Sequence, residues 1–215
     1  MPPESAPAIC WFRRDLRIAD NPALLAALDH GPVIPVFVHD PVLRDGSGAN
    51  RLAYLHATLD VLDASVDGAL VERVGRPSEV LAALRDETGA TAVFAAEDFG
   101  PYGRRRDRAV AARGVDLRLV GSPNAVPPGS VSTKGGTPFK VFTPYSRAWR
   151  AHGWPEPVAA PERPRWRRDV ESDPRPDTPE PEATAGLPPA GESAAWDAVE
   201  RFWSDRLEGY ERDRD

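Results

Sequence analysis

Three arginines and an aspartate follow the first apolar segment of the chain at close spacing. They lie in the stretch ICWFRRDLRIADNPAL, residues 9–24, between an apolar run and a helical pattern. The four residues are Arg13, Arg14, Asp15 and Arg17. A planar guanidinium can hold a carboxylate or a phosphate through two parallel hydrogen bonds. The group therefore predicts either ion pairs that brace a loop, our preferred interpretation, or direct contact with a ligand. The candidate carboxylate partners are Asp15, Asp20 and Asp98.

A second charged group lies in the stretch AEDFGPYGRRRD, residues 96–107, after the fourth apolar segment. Asp98 is placed where a strand is expected to end, so its carboxylate can accept from a ring N–H or a ribose hydroxyl. It can equally cap the next helix, and both interpretations stay open. Arginines near the start of that helix oppose its dipole, so we interpret them as a solvated face with one or two ion pairs. The residues expected in such pairs are Arg106, Arg108, Asp107 and Glu97.

Other residues point to a planar ligand and away from several chemistries. Phe37 and Tyr102 can stack on a flat ring, although aromatic side chains at strand ends more often belong to the core. No G-x-G-x-x-G follows the first strand, and no G-x-x-x-x-G-K-[ST] occurs. The four histidines lack metal-ligand spacing, and no Ser/His/Asp set is placed for catalysis. The residues alone indicate a domain that binds a planar ligand, with no metal site.

Five short apolar segments alternate with helical patterns in the first 120 residues. The segments are 8–12, 33–38, 69–74, 91–96 and 115–120. They are rich in Val, Ile and Phe without polar alternation, which is typical of strands buried on both faces. We predict an α/β fold with a five-stranded, doubly wound parallel sheet of order 3-2-1-4-5 and helices on both faces. Ligands bind such sheets where the strand order reverses, here between strands one and four.

The pattern changes beyond residue 130. We predict an irregular connector over 131–192, with a short helix at 144–152 and a Pro-rich part from residue 155. Ten of the 24 prolines lie between residues 155 and 189, so this part is expected to be extended. Helical spacing returns over 193–215 with an apolar stripe that needs a partner. The stripe consists of Trp196, Val199, Trp203, Leu207 and Tyr210.

Charge and cysteine content limit the class of protein. The formal net charge is −6 and neither half is strongly basic, so no nucleic-acid surface is expected in this chain. Cys10 is the single cysteine, which excludes an internal disulfide and favours a buried core position. The sequence shows no signal peptide and no run of about 18 apolar residues. These features predict a cytoplasmic protein without membrane contact.

Several motifs resemble the DNA photolyase/cryptochrome family and occur in that family's order. CWFRRDLRIADNPAL resembles its opening signature, PVFVHDP (35–41) its second strand, and EDFGPYGRRRDRAV (97–110) its fourth-strand loop and helix. Further matches are NRLAYLHATLDVL (50–62), GTPFKVFTPYSRAW (136–149) and AAWDAVERFWSDRLEGYERDRD (194–215). The resemblance spans nearly the whole chain, and within the family it is nearest to the class I cyclobutane pyrimidine dimer photolyases.

The resemblance implies a two-domain enzyme. Residues 1–130 would hold a light-harvesting antenna chromophore, and residues 193–215 would begin a helical domain that binds FAD and damaged DNA. The antenna would pass its energy to reduced FAD, which donates an electron to a pyrimidine dimer flipped out of the duplex. Since the chain ends where that domain would begin, we expect residues 1–215 alone not to repair DNA.

The resemblance also implies the contacts of the antenna chromophore. Family members that bind folate carry Asn-Glu where this chain has Tyr102 and Gly103, so a deazaflavin or a flavin is expected rather than a folate. Matching positions assign Phe37, Arg51 and Asp98, together with Tyr102, to the chromophore. The charged residues expected to brace the crevice are Arg13, Asp15, Arg17, Arg106 and Asp107. An empty pocket is an alternative, because glycine replaces an acidic residue common in the fourth-strand loop.

Two other functions fit the same residues. A cryptochrome photoreceptor shares these motifs, and the residues that separate signalling from repair would lie in the helical domain. A stand-alone nucleotide- or flavin-binding module would fold its final helix back onto the α/β domain. A repair assay on the full-length protein would separate the first alternative, and proteolysis beyond about residue 150 would test the second.

Overall fold

Five apolar segments form one parallel sheet. The computed structural model describes residues 5–178, 180–181 and 186–213. The strands are β1 (Ala8–Phe12), β2 (Val33–His39), β3 (Val71–Val74), β4 (Ala92–Ala95) and β5 (Leu117–Leu119). Their order is β3-β2-β1-β4-β5, which confirms the predicted topology. In register, Ala8 of the central strand β1 lies opposite both Val33 of β2 and Ala92 of β4.

Among the described residues, four of the eight helices begin at a proline. The eight helices are α1 (Pro22–His30), α2 (Pro41–Arg44), α3 (Ala49–Ser65), α4 (Pro77–Thr88), α5 (Pro101–Ala111), α6 (Phe142–His152), α7 (Glu192–Asp205) and α8 (Tyr210–Asp213). Those that begin at a proline are α1, α2, α4 and α5. Proline suits a first helical position because its φ is already helical and its missing N–H has no partner there. Asn21 caps α1, accepting from the Leu24 N–H at 3.1 Å. Gly89 ends α4 with a φ of 69°, in the left-handed region that glycine adopts without strain.

Alternate residues of β1 enter two separate cores, one on each face of the sheet. Ala8, Cys10 and Phe12 pack with α1 and α3. Ile9 and Trp11 pack with α4 and α5. Burying a large apolar side chain contributes about 1.5–3 kcal/mol, so these cores hold the helices against the sheet. The sheet is doubly wound, as predicted, and Cys10 is a buried core residue.

The Pro-rich part of the connector docks along the open edge of the sheet. Residues 165–178, here called the docked segment, have no core of their own. The Val33 N–H donates to the Arg165 carbonyl at 2.8 Å, and the Arg167 N–H donates to the Val33 carbonyl at 2.8 Å. Trp166 packs against the core on the α1–α3 face. The sequence predicted an extended segment but not its docking, which depends on backbone groups that only the assembled sheet edge offers.

The C-terminal helix is shorter than the 193–215 predicted for it. α7 ends at Asp205, and a turn separates it from α8, so Leu207 and Tyr210 do not continue its stripe. Residues 214–215 lie outside the described residues. Trp196 and Trp203 are 60% and 61% exposed, so the aromatic face of α7 has no cover in the described chain.

Two absences hold for the residues that the structure describes. No helix among them combines the length and the apolar content needed to cross a bilayer. No group of three or more His, Cys, Asp or Glu side chains among them is arranged to hold a metal ion.

Candidate ligand-binding cleft

A cleft of about 610 Å³ opens at the carboxyl ends of β1, β2 and β4. Sites for small molecules typically enclose about 300–1,000 Å³. The loops that leave β1 and β4 both contribute to it, through Arg13 and Asp98. Asp15 and Asp98 also line one narrow crevice beside it. Both loops therefore meet at the same end of the sheet, where the strand order places a ligand site.

Apolar side chains, some of them aromatic, contribute to the lining of the cleft. They include Trp11, Phe37, Leu43, Leu52 and Leu55, with Trp11 and Phe37 coming from opposite faces of the sheet. Phe37 is only 8% exposed and also belongs to the core on the α1–α3 face. Phe37 is therefore both a core residue and part of the cleft lining. The apolar part of the lining can bury the apolar part of a ligand.

The Arg13 side chain is almost fully buried in the lining of the cleft and is tied to α5. Its Nη1 lies 2.6 Å from the Asp107 carboxylate, and its Nη2 donates to the carbonyl of Ala96. Burial, followed by the nearby Arg106 guanidinium, lowers the pKa of Arg13, although Asp107 opposes that change. The guanidinium carbons of Arg13 and Arg106 lie 4.7 and 4.8 Å from the centre of the Trp11 ring. Two cations thus contact one indole beside the cleft.

Asp98 braces the loop before α5 and at the same time lines the cleft. Its Oδ1 accepts from the Gly100 N–H at 3.0 Å, and its Oδ2 accepts from Arg106 at 3.4 Å. Arg106 also donates to Asp107 at 3.1 Å, so it joins two carboxylates, and Asp107 is one of those expected to pair with it. A Cβ on Gly103 would lie 2.7 Å from the Asp98 Cβ, so only glycine allows this close approach.

Tyr102 is held by a carboxylate that sequence reasoning missed. Its hydroxyl donates to Asp40, and the other Asp40 oxygen caps α2 by accepting from the Val42 N–H at 3.1 Å. Burial, and then the hydrogen bond to Asp40, raise the pKa of Tyr102 to about 12. Asp40 directly precedes Pro41 in PVFVHDP, and an aspartate before a proline is a helix-capping signal that could have identified it.

Cations line the mouth of the cleft. Arg51 lies exposed in the first turn of α3 and contributes to the lining, as does Arg14. The Arg14 side chain is 71% exposed, and its guanidinium lies 3.8 Å from Asp98. A weak, exposed pair of this kind leaves the cation available to an anionic group.

Three of the predicted bracing residues lie outside the lining of the cleft. Asp15 accepts from the Arg13 N–H at 3.2 Å and turns the loop after β1. Arg17 lies 3.5 Å from Asp20 and donates to nearby carbonyls. Asp107 is buried under Arg13 and Arg106. All three hold the loops that form the cleft.

His39 and Glu72 form a buried pair that the sequence analysis did not identify. His39 lines the cleft, and its Nε2 lies 2.6 Å from Glu72 Oε2. Arg175 of the docked segment donates to the same carboxylate. Burial raises the pKa of Glu72, but hydrogen bonds from His39 and Arg175 outweigh it and bring the pKa down to about 2. The carboxylate is therefore ionised at neutral pH.

Comparisons with known proteins agree with this architecture. The family model described as DNA photolyase matches residues 8–164. The chain is 33% identical over 234 residues to a deoxyribodipyrimidine photo-lyase of Agrobacterium fabrum, covering 99% of this chain and 48% of that protein. It is 37% identical over 221 residues to one of Streptomyces griseus, covering 97% of this chain and 49% of that protein. The chain thus spans about half the length of these relatives.

A solved structure extends the likeness to the fold. A bacterial class III photolyase from Agrobacterium tumefaciens superposes with a TM-score of 0.73 at 29% identity, over 99% of this chain and 47% of that one. The matching strand order, the cleft between the β1 and β4 loops and the family model covering most of the chain lead to one conclusion. The chain belongs to the DNA photolyase family.

Proposed function

We propose that the chain is the light-harvesting domain of a deoxyribodipyrimidine photolyase, a light-driven, FAD-dependent enzyme that repairs cyclobutane pyrimidine dimers in DNA. Its family and its likeness to about half of each named photolyase support this proposal. The chromophore would supply light absorption, and residues of this chain would bind and orient it. FAD and damaged DNA would bind to a helical domain of the longer protein.

One observation carries the proposal: apolar side chains and exposed cations line the same cleft. Phe37 and Leu55 are among the apolar side chains, while Arg51 and Arg14 are exposed cations, here called the rim. A planar ring system with an anionic tail could bury its rings against the apolar side chains and place the tail at the arginines. Asp98, at the same mouth, could accept from a ring N–H. Flavins have this combination of a flat ring and an anionic tail.

The lining favours a flavin or a deazaflavin over a folate. The resemblance places an Asn-Glu pair at positions 102 and 103 in folate-binding members. Here Tyr102 is engaged by Asp40, and Gly103 packs against Asp98. A glutamate at position 103 would have to displace Asp98 and its contacts to Gly100 and Arg106. The local packing thus disfavours the side chain that a folate site needs.

We also propose a division of the chain into three parts. Residues 1–130 would be the chromophore-binding domain, 131–192 the connector, and 193–215 the start of the FAD-binding helical domain. The exposed aromatic face of α7, with Trp196 and Trp203, supports a partner surface there. Burying two indole rings would supply a large part of such an interface.

Ligand titration tests the cleft. We expect the purified chain to bind FMN or 8-hydroxy-5-deazaflavin at least about tenfold more tightly than methenyltetrahydrofolate, a difference of about 1.4 kcal/mol, when chromophore fluorescence is followed. Arg51→Ala should weaken FMN binding, because it removes a rim cation. Arg108→Ala, on the exposed face of α5 outside the lining, should not. Tighter binding of the folate would contradict the choice of chromophore, and binding of none would contradict a chromophore cleft.

A repair assay tests the enzyme class. The protein encoded by the full reading frame should split a thymine dimer in an oligonucleotide under blue light and not in the dark. A cryptochrome would retain the bound flavin and show no repair.

A further inference from the structure

The docked segment covers a sheet edge that would otherwise expose unpaired backbone groups. β3 is the edge strand. The Glu72 carbonyl accepts from the Asp173 N–H at 2.8 Å, and the Glu72 N–H donates to the Ser172 hydroxyl at 3.0 Å. The Val74 N–H donates to the Asp173 carboxylate at 2.8 Å. Uncovered edges of this kind recruit other strands, so the segment completes the sheet.

Arg175 ties the docked segment to two elements at once. Its Nε lies 2.9 Å from Glu72 Oε2 on β3, and its Nη1 lies 2.6 Å from Asp60 Oδ1 on α3. Glu72 is buried, and a buried carboxylate without a cation is costly. The guanidinium therefore neutralises a charge inside the fold, beyond any role as a surface contact.

The same carboxylate reaches the wall of the cleft. Glu72 is hydrogen-bonded to His39. The His39 ring lies edge-on to the Phe37 ring, with centroids 5.0 Å apart. His39 also contacts the His56 ring edge-on, with centroids 5.6 Å apart. His56 Nδ1 lies 2.6 Å from the Thr178 hydroxyl, a second link to the docked segment. A continuous set of contacts thus joins the segment to the cleft.

We propose that Arg175 clips the docked segment to the sheet and, through Glu72, positions His39 in the wall of the cleft, so that the segment and the cleft respond to each other. Coupling of this kind is reciprocal: the free energy by which the docked segment affects the cleft equals that by which the cleft affects the docked segment. The inference goes beyond the function proposed above, because it holds whichever ligand the cleft takes. The docked segment precedes α7 in the chain, so the proposed coupling connects the part of the chain before α7 to the cleft.

The first experiment removes the Arg175 guanidinium and measures the effect on both the docked segment and His39. In Arg175→Gln we expect amide hydrogen exchange of residues 170–178 to accelerate by about tenfold and the NMR signals of the His39 ring to move. Arg168→Gln is the matched control, since Arg168 lies in the same segment and pairs with Asp67 at 3.6 Å on the surface. It should leave both readouts at their wild-type values. Unchanged exchange in Arg175→Gln, or faster exchange with an unmoved His39 ring, would overturn the proposal.

The second experiment changes His39 in the cleft and leaves Glu72 paired with Arg175. His39→Phe keeps a ring but removes the bond to Glu72, and it should accelerate exchange of residues 170–178. His30→Phe is its control, because His30 bonds Thr91 away from the docked segment. If Arg175→Gln does not fold, the double variant Glu72→Gln/Arg175→Gln removes both charges and should still release the segment. Wild-type exchange in His39→Phe or in the double variant would refute the coupling.

Discussion

The Arg13 guanidinium lies 2.6 Å from the Asp107 carboxylate across 94 residues of sequence. Arg13 leaves the central strand β1, and Asp107 lies on α5 after β4. Both side chains are almost fully buried. The pair therefore joins the loop after β1 to α5 beside the cleft, and its burial limits screening by solvent.

Breaking this pair should destabilise the whole domain. Arg13→Met leaves Asp107 buried with only Arg106 as a partner, and we expect a loss of about 3 kcal/mol in the free energy of unfolding, measured by urea denaturation. Arg17→Gln, which removes an exposed pair with Asp20, should cost less than about 1 kcal/mol. Equal losses in the two variants would show that burial does not decide the strength of these pairs.

Gly103→Ala should also destabilise the chain, although alanine favours helices. The gain in helix propensity is about 1 kcal/mol. The new Cβ would lie 2.7 Å from the Asp98 Cβ and closer still to its carboxyl group, and it would force that group from Gly100 and Arg106, at a cost of about 1–3 kcal/mol. Thermal unfolding should therefore begin at a lower temperature. Gly135→Ala, whose nearest neighbour would lie 3.9 Å away, is the control. A more stable Gly103→Ala variant would contradict the packing described.

Tyr102 gives the fold a dependence on alkaline pH. Its pKa is raised from 10.0 to about 12, so the neutral phenol is favoured in the folded state. The stability that this contributes is complete below pH 10 and is lost as the pH rises toward 12. Tyr102→Phe should remove this part of the alkaline decline, measured as the free energy of unfolding between pH 9 and 11. It should also cost about 1–2 kcal/mol at neutral pH, because Asp40 loses a donor. An unchanged decline would argue against the Asp40 bond.

Glu72 gives the fold a dependence on acid pH. Its pKa falls from 4.5 to about 2 on folding, so the ionised form is favoured in the folded state. The corresponding stability is present above pH 4.5 and is lost as the pH falls toward 2. In Glu72→Gln, the free energy of unfolding should fall less steeply between pH 5 and pH 3 than in the wild type. A slope in Glu72→Gln identical to the wild-type slope would contradict an ionised, hydrogen-bonded Glu72.

Part of the site could be predicted from the sequence because it follows strand ends. Arg13 and Asp98 were identified in this way, and both line the cleft. From the sequence, Asp98 can be either a ligand contact or a helix cap. In the structure it lines the cleft and also accepts a hydrogen bond from the Gly100 N–H. The observed partners of Asp98, Gly100 and Arg106, were not predicted, although both lie within eight residues of it.

The contacts of Glu72 with His39 and Arg175 could not be predicted, because these residues are far apart in the sequence. Glu72 is 33 residues from His39 and 103 residues from Arg175. Arg175 lies in a Pro-rich stretch whose composition predicts only an extended chain. Neither residue carries a local pattern that marks a buried ion pair, so the pairing became visible only once β3 was known to be the edge strand.

The sequence by itself determined the α/β class, the strand order and the end of the sheet where a ligand site forms. It could do so because apolar runs, capping residues and helix periodicity act over a few residues, and the handedness of crossovers then limits the topology. Tertiary structure alone decided which charges pair, that the connector covers β3, and that α7 stops at Asp205. Those outcomes depend on burial and on distances between residues far apart in the chain, which no local pattern encodes.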